Sequence, residues 1–541
     1  MKTNKIFMLT MVMALSMFTT GCTESDEINE IILAQEQQEE PSDTPEPISD
    51  EFSKALGAIK NVTDVQVEDL VMKGSGEIRY YTFFWAQLVD HNDPSKGYFK
   101  QQVRISISKN GLTAPVVLYT HGYEMSETKD CDEPEITNYL NASTLWIEHR
   151  YFGNSLPEPF EDLDFTYLYA DQAAQDLHAI VSTLKQTVFK ESGKWVSTGV
   201  SKDGITTALY AYYSDKYGWD DIDLYMPFCA PFLEATAESC DDPKMGQYLY
   251  TTSGSGYSAG SQEAIAYQRI RQIPTMLIQN KELRDACLRL YHKKNPDDYV
   301  EVINTFGRNE ESVTAGILHI YFENLFRKFS YVPFKKWAGM IPDENNVAQM
   351  CSFIMLNDKE LQDVIENIEA QDKTSEQTGN EPKALSNDEL TSLRSTDPIM
   401  PYYVQAAREL GNIRMDLSSL NGLNFPGSTS DFGYLAATVS HQFDVSVLFE
   451  RYASQWDGGK LMKDFRQWVK TQSKYNMIFA YSHNDPWTGG AIDDSTNPKV
   501  KRIIARNGTH NDSFLNPDCY TEEEKQQLLG WVRDYLGTTA R

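Results

Sequence analysis

Three side chains in this sequence have the types and the order that acyl-transfer chemistry needs. Ser201 lies in Gly199-Val200-Ser201-Lys202-Asp203-Gly204. The apolar, β-prone run Trp195–Val200 enters it, and a helical pattern leaves it, with Ile205, Ala208, Leu209 and Tyr212 on one face. A serine between strand and helix, flanked by small residues, reads as a nucleophile elbow, a strained turn that lifts the hydroxyl clear of the backbone. Asp203 stands where the strict Gly-x-Ser-x-Gly pattern has glycine. Asp485 falls in the Pro/Gly-rich turn Ser482 to Gly490, and His510 follows 25 residues later, after one more strand run. A serine hydroxyl is a poor nucleophile near neutral pH, so a neutral imidazole must take its proton. A buried carboxylate must then fix the imidazole's tautomer and stabilise its protonated form. Ser201, Asp485 and His510 supply these groups in the order Ser…Asp…His.

Positioning three such groups takes a sheet that ends its strands together. Ile78 to Val89 and the alternating Val103, Ile105 and Ile107 read as an antiparallel strand pair. Pro115 to Thr120 and Thr144 to Ile147 read as strands buried on both faces. Tyr169 to Lys185 has helical periodicity, and Ile222, Leu224, Met226 and Phe228 form the strand after the serine helix. The order is that of a doubly wound α/β unit. Its loops carry His121-Gly122-Tyr123-Glu124 and the charged run Glu148-His149-Arg150 through Ser155. Those charges lie where open α/β sheets place their sites, and a buried ion-pair network accounts for them equally well. His121 reads as a hydrogen-bonded loop histidine. From 242 to 472 helical patterns dominate, for example Val313 to Phe329 and Glu360 to Ala370, broken by the polar stretch Gln371 to Asp397. We read 51–241 as the first part of an α/β core, 242–472 as a helical cap insertion and 473–541 as the rest of the core. The last part holds the strands Asn476 to Tyr481 and Val500 to Ala505 and a closing helix entered at Thr521. No repeat at a fixed period is present, so a helical solenoid is unsupported.

Composition narrows the class. A net charge of −29 argues against nucleic acid as a partner. Lys2, Lys5 and the apolar run Ile6 to Phe18 have the form of a signal peptide, ending at Thr19-Thr20-Gly21-Cys22. Small residues before a cysteine resemble a bacterial lipobox, so 1–22 reads as a lipoprotein signal with Cys22 lipidated. The segment 23–50, rich in Glu, Gln, Pro and Ser, reads as a disordered tether. The expected location is the outer membrane or cell surface of a bacterium, held there by a lipid anchor only. Six of the seven cysteines then remain in an oxidising compartment, with Cys229 and Cys240 close enough in sequence for a bridge. No Cys/His cluster has structural-zinc spacing, and neither metal nor cofactor is expected.

Longer motifs carry a family resemblance. Val89-Asp90-His91-Asn92-Asp93-Pro94, Glu148 to Ser155, Gly199-Val200-Ser201-Lys202, Asn484-Asp485-Pro486-Trp487 and Gly508-Thr509-His510 resemble the secreted prolyl tri- and tetrapeptidyl aminopeptidases. More distantly they resemble lysosomal Pro-X carboxypeptidase and its dipeptidyl peptidase relatives. The resemblance implies an α/β-hydrolase core, peptide substrates entering beneath the cap, and Ser201, Asp485 and His510 as nucleophile, acid and base. It also implies an oxyanion hole from the backbone amides of Lys202 and Tyr123. Asp203 and Glu124 are the carboxylates that could meet a substrate's charged α-amine; the competing reading leaves both solvated or structurally paired. The expected activity is release of di-, tri- or tetrapeptides from a free amino terminus. The alternatives are a surface esterase or lipase with the same triad, and a non-catalytic nutrient-binding lipoprotein.

Overall fold

A computed structural model of the protein describes residues 50–72, 76–125, 133–157, 165–234, 257–294, 310–342, 346–373, 400–411, 452–510, 514 and 516–537. The signal peptide, Cys22, residues 23–49 of the tether, Cys240 and most of the stretch 371–397 lie outside them.

Nine strands form one sheet: β1 (Val62–Met72), β2 (Gly76–Leu88), β3 (Tyr98–Ser106), β4 (Val116–Thr120), β5 (Ser143–Ile147), β6 (Trp195–Val200), β7 (Leu224–Phe228), β8 (Asn476–Ser482) and β9 (Val500–Ala505). Their order is β1-β2-β3-β5-β4-β6-β7-β8-β9. The first three run antiparallel, and the six from β5 to β9 are parallel. Side-chain alternation sorts the parallel strands between two apolar layers. Val116 and Leu118 of β4 face the helices Ala170–Gln186 and Lys202–Tyr217. Val117, with Val196, Met226 and Ile478, faces the closing helix Glu522–Leu536 through Leu528 and Val532. Sheet and helix layers on both faces make this an α/β-hydrolase core, with a separate helical region.

Sequence periodicity missed β1, and its geometry gives the reason. The pairing register of β1 on β2 shifts between Thr63 and Gln66, and Asp64 has φ 54°. A bulge of this kind inserts one residue and inverts the inward–outward alternation partway along the strand. The closing helix begins as its sequence demands. Thr521 Oγ1 accepts from Glu524 N–H, and Glu524 Oε2 accepts from Thr521 N–H, satisfying two otherwise orphan donors.

The helical region has its own core. Tyr267, Ile270 and Leu277 of the helix Gln262–Gln279 pack with Tyr321, Leu325 and Phe329 of the helix Glu310–Tyr331, and with Trp337 and Leu361. The helix Lys460–Thr471 also lies within the stretch 242–472, yet it packs on the sheet. Its Met462, Phe465, Trp468 and Val469 join the core beside Phe479, and Arg466 donates to the carbonyls of Phe232, Gly490 and Ala491.

Candidate active site

Ser201 sits at the tip of the turn between β6 and the helix Lys202–Tyr217, with φ 59° and ψ −122°. A side chain there is sterically strained, and the surroundings must hold it. The Ser201 N–H donates to the carbonyl of Phe228 at 2.9 Å. The glycines let helix and strand approach. A Cβ at Gly199 would come 2.6 Å from the carbonyl carbon of Asp203, and one at Gly204 would come 2.8 Å from the Phe228 oxygen.

Asp485 and His510 reach this serine from the loops after β8 and β9. His510 Nε2 is 2.8 Å from Ser201 Oγ, and His510 Nδ1 is 2.8 Å from Asp485 Oδ2. Asp485 is completely buried, and its other oxygen accepts from Trp487 N–H at 3.0 Å. That bond caps the short 3-10 helix Pro486–Gly490 and places the Trp487 ring over His510, 5.4 Å between centroids at 30°. The helical region closes on the same histidine, because His510 N–H donates to the carbonyl of Ser330 at 2.7 Å. Phe326, one turn earlier on that helix, meets the edge of Trp487. This arrangement can move a proton from Ser201 to His510 while Asp485 neutralises the imidazolium.

The loop after β4 lies beside the serine helix. The Lys202 N–H is the first of that helix and has no carbonyl one turn back to bond. The Gly122 N–H is taken by Asp203 Oδ1 at 2.5 Å, so the Tyr123 N–H is the next donor the loop can offer. Asp203 is 8% exposed and also bonds the Tyr119 side chain, which withdraws it from any substrate; of the two carboxylates considered for an α-amine, it is the structurally paired one. Glu124, two residues past Gly122, is exposed. Met125 of this loop is held by Glu148, which accepts from Met125 N–H, Asn154 N–H and the Ser155 hydroxyl. Burial pushes the Glu148 carboxyl up to about 7, against these bonds.

The charges of 148–155 are otherwise structural. Arg150 is fully buried, donates to both oxygens of Asp176 at 2.7 and 2.6 Å, and reaches the carbonyls of Leu88, Val89 and Tyr167. His149 donates its N–H toward the Tyr123 carbonyl at 3.5 Å, and burial holds its imidazole well below the usual range. His121 differs from the hydrogen-bonded histidine expected: its Nε2 is buried without a hydrogen-bond partner, its ring lies edge-on to Tyr119, and burial lowers it to about 3. Among the described residues, the grouping with metal-ligand chemistry is Cys229, Asp485 and His510, whose ligand atoms lie within 4.8 Å of one another. Two of its three members, Asp485 and His510, are the candidate acid and base.

Sequence reasoning did not reach several of these contacts. Trp487 stood in a quoted motif without a role. Ser330, Phe326 and the Lys202 side chain carried no signal, since each matters only through a partner distant in the chain.

Three comparisons bear on this geometry. The family model described as PS-10 peptidase S37 matches residues 61–242. The chain is 25% identical over 415 residues to the prolyl tri/tetrapeptidyl aminopeptidase of Streptomyces mobaraensis, covering 76% of this chain and 70% of that protein. It is 26% identical over 180 residues to the serine protease vicPb of Bipolaris victoriae, covering 28% of this chain and 33% of that protein. Among solved structures, a peroxisomal alpha-beta-hydrolase of Saccharomyces cerevisiae overlaps with TM-score 0.31 at 10% identity, covering 84% of this chain and 90% of that one. The cell wall degrading esterase LipA of Xanthomonas oryzae overlaps with TM-score 0.31 at 11% identity, covering 89% and 99%. Those overlaps are slight, and the fold rests on strand order and the elbow instead. The S37 match spans β1 to the stretch after β7, and the similarity to a prolyl aminopeptidase runs across three-quarters of the chain, so this chain is similar to the S37 serine peptidases in the part that carries the serine elbow and, more broadly, to a prolyl aminopeptidase.

Proposed function

We propose that the protein is a serine exopeptidase that releases di-, tri- or tetrapeptides from the free amino terminus of peptide substrates. Ser201 Oγ attacks the scissile carbonyl as His510 Nε2 takes its proton, and Asp485 holds the imidazole. The N–H groups of Lys202 and Tyr123 receive the developing oxyanion. His510 then protonates the leaving amine, and water repeats the sequence on the acyl-enzyme. The observation that carries this reading is the unbroken hydrogen-bond chain from Asp485 through His510 to Ser201. The relatives' names favour a peptide bond over the ester of a lipase, and the assembled chain favours an enzyme over a nutrient-binding lipoprotein.

The helical region over the base favours chain ends, because a folded substrate loop could not thread beneath it. Exposed Glu124 is the carboxylate left to pair with a substrate's α-amine. One short peptide assayed with free and with acetylated amino termini tests this. The acetylated form is expected to lose at least ~100-fold in kcat/KM, since a site built to bind a charged group strongly rejects its blocked analogue. Equal rates would move the protein to an endopeptidase or esterase.

Location follows from the amino-terminal sequence. Cys22 carries the acyl anchor, at the outer membrane or cell surface, and no helix among the described residues is long and apolar enough to cross a membrane. Cys22→Ser should therefore leave the membrane fraction and appear in the soluble one. Retention of the variant in washed membranes would refute the lipid anchor.

A further inference from the structure

We propose that the side chains of Lys202 and Asp203 are positioning residues for the oxyanion hole: together they clamp both peptide groups flanking Gly122 and thereby fix the direction of the Tyr123 N–H. The proposal deepens the serine-peptidase reading and rests on it.

The geometry is specific. Asp203 Oδ1 accepts from the Gly122 N–H at 2.5 Å, and Lys202 Nζ donates to the Gly122 carbonyl, also at 2.5 Å. The first bond holds the peptide that enters Gly122, and the second holds the one that leaves it. In a trans peptide the carbonyl oxygen and the next N–H point in opposite directions. Anchoring the Gly122 carbonyl on Lys202 therefore turns the Tyr123 N–H to the opposite side. If this peptide flipped, a carbonyl oxygen would replace the donor.

The loop needs such a device because of its glycine. A Cβ at Gly122 would come 2.8 Å from Asp203 Oδ1 and 2.8 Å from Lys202 Cγ, so a larger residue could not bring loop and helix this close. Glycine is also the residue whose backbone reorients at least cost. The close approach and the freedom to flip arrive together, and the two elbow side chains remove the second. Asp203, the departure from the strict elbow pattern, has a role here that glycine could not fill.

The clamp is built into the interior. Lys202 is 1% exposed, and its ammonium lies 5.6 Å from the Tyr123 ring centroid and 5.2 Å from that of Phe152. The residue that clamps the Gly122 carbonyl thus also packs on the next side chain in the loop. Burial pushes Lys202 down to about 7 and Asp203 up to about 6, while each one's charge opposes the other's shift. The two bonds survive either protonation state, because an amine still donates and a carboxyl carbonyl oxygen still accepts.

The test uses the full-length enzyme with Lys202→Met, Asp203→Ala and the conservative Asp203→Asn. Steady-state kinetics on one peptide substrate are combined with inhibition by a peptide boronic acid, which forms a tetrahedral adduct on the serine, and by a product peptide, which does not. Lys202→Met and Asp203→Ala should lower kcat about 10²- to 10³-fold with KM within about threefold, the loss typical of an oxyanion donor. Boronate affinity should fall with kcat while product affinity holds. Asp203→Asn, which keeps the acceptor oxygen, should stay within about tenfold of wild type. A fluorophosphonate should still label all three variants, showing them folded with Ser201 and His510 intact. Near-wild-type kcat in both Lys202→Met and Asp203→Ala, a loss confined to KM, or a product affinity that falls with boronate affinity would each overturn the clamp. Absence of labelling in the wild-type enzyme would overturn the serine-peptidase reading instead.

Discussion

Ser201→Ala is expected to lose at least ~10⁴-fold in kcat/KM while its thermal transition stays nearly where it was. The size of the loss follows from the position of the hydroxyl. It is the atom to which His510 Nε2 bonds at 2.8 Å, and without it the acid and base have nothing to activate. What survives should be the modest acceleration due to binding and the oxyanion donors. Stability should hold because the side chain contributes little besides that bond. The strained φ of 59° is imposed by strand, helix and the Ser201 N–H bond to Phe228, which alanine keeps. Purified Ser201→Ala with turnover within 100-fold of wild type would remove the serine from the mechanism.

Arg150→Met should cause the largest stability loss, about 3–5 kcal/mol, with the fold rather than the chemistry as its direct target. Arg150 is fully buried, and so nearly is Asp176, its bidentate partner. Removing the guanidinium leaves that carboxylate in a low-dielectric interior with His91 Nε2 at 2.7 Å as its remaining side-chain partner. It also frees carbonyls of Leu88, Val89 and Tyr167 from their donors. Adding Asp176→Asn to Arg150→Met should recover part of the loss, since the stranded charge is then gone. Denaturation midpoints of wild type, single and double variants measure this. A single variant as stable as wild type, or a double variant less stable than the single, would show that the pair contributes little.

Much of the core could be read directly from the chain. Strands such as β4 and β8 are short apolar runs between turn residues, and helices such as Ala170–Gln186 repeat their apolar residues at helical spacing. Both signals are local, because a residue's inward or outward direction depends only on its neighbours' backbone. For the same reason Ser201, Asp485 and His510 could be singled out: each stands where such a run ends, in an order known to suit acyl transfer. β1 escaped because the bulge at Asp64 breaks that local periodicity.

The tertiary structure decided what the local signals leave open. Amphipathicity marks which face of the helix Lys460–Thr471 is apolar, but its docking on the sheet beside Phe479 depends on which surface has matching shape. Asp203 carries the same charge in the sequence as exposed Glu124. The approach of the Gly122 loop to within hydrogen-bonding distance makes it a buried clamp instead of a solvated acid. His510 receives its backbone acceptor from Ser330, on a helix of the helical region. Sequence alone determined the chemical types and the strand ends that present them. Which of those groups are desolvated, and therefore which act through a partner and which remain open to substrate, depends on contacts between segments far apart in the chain, and no local pattern encodes them.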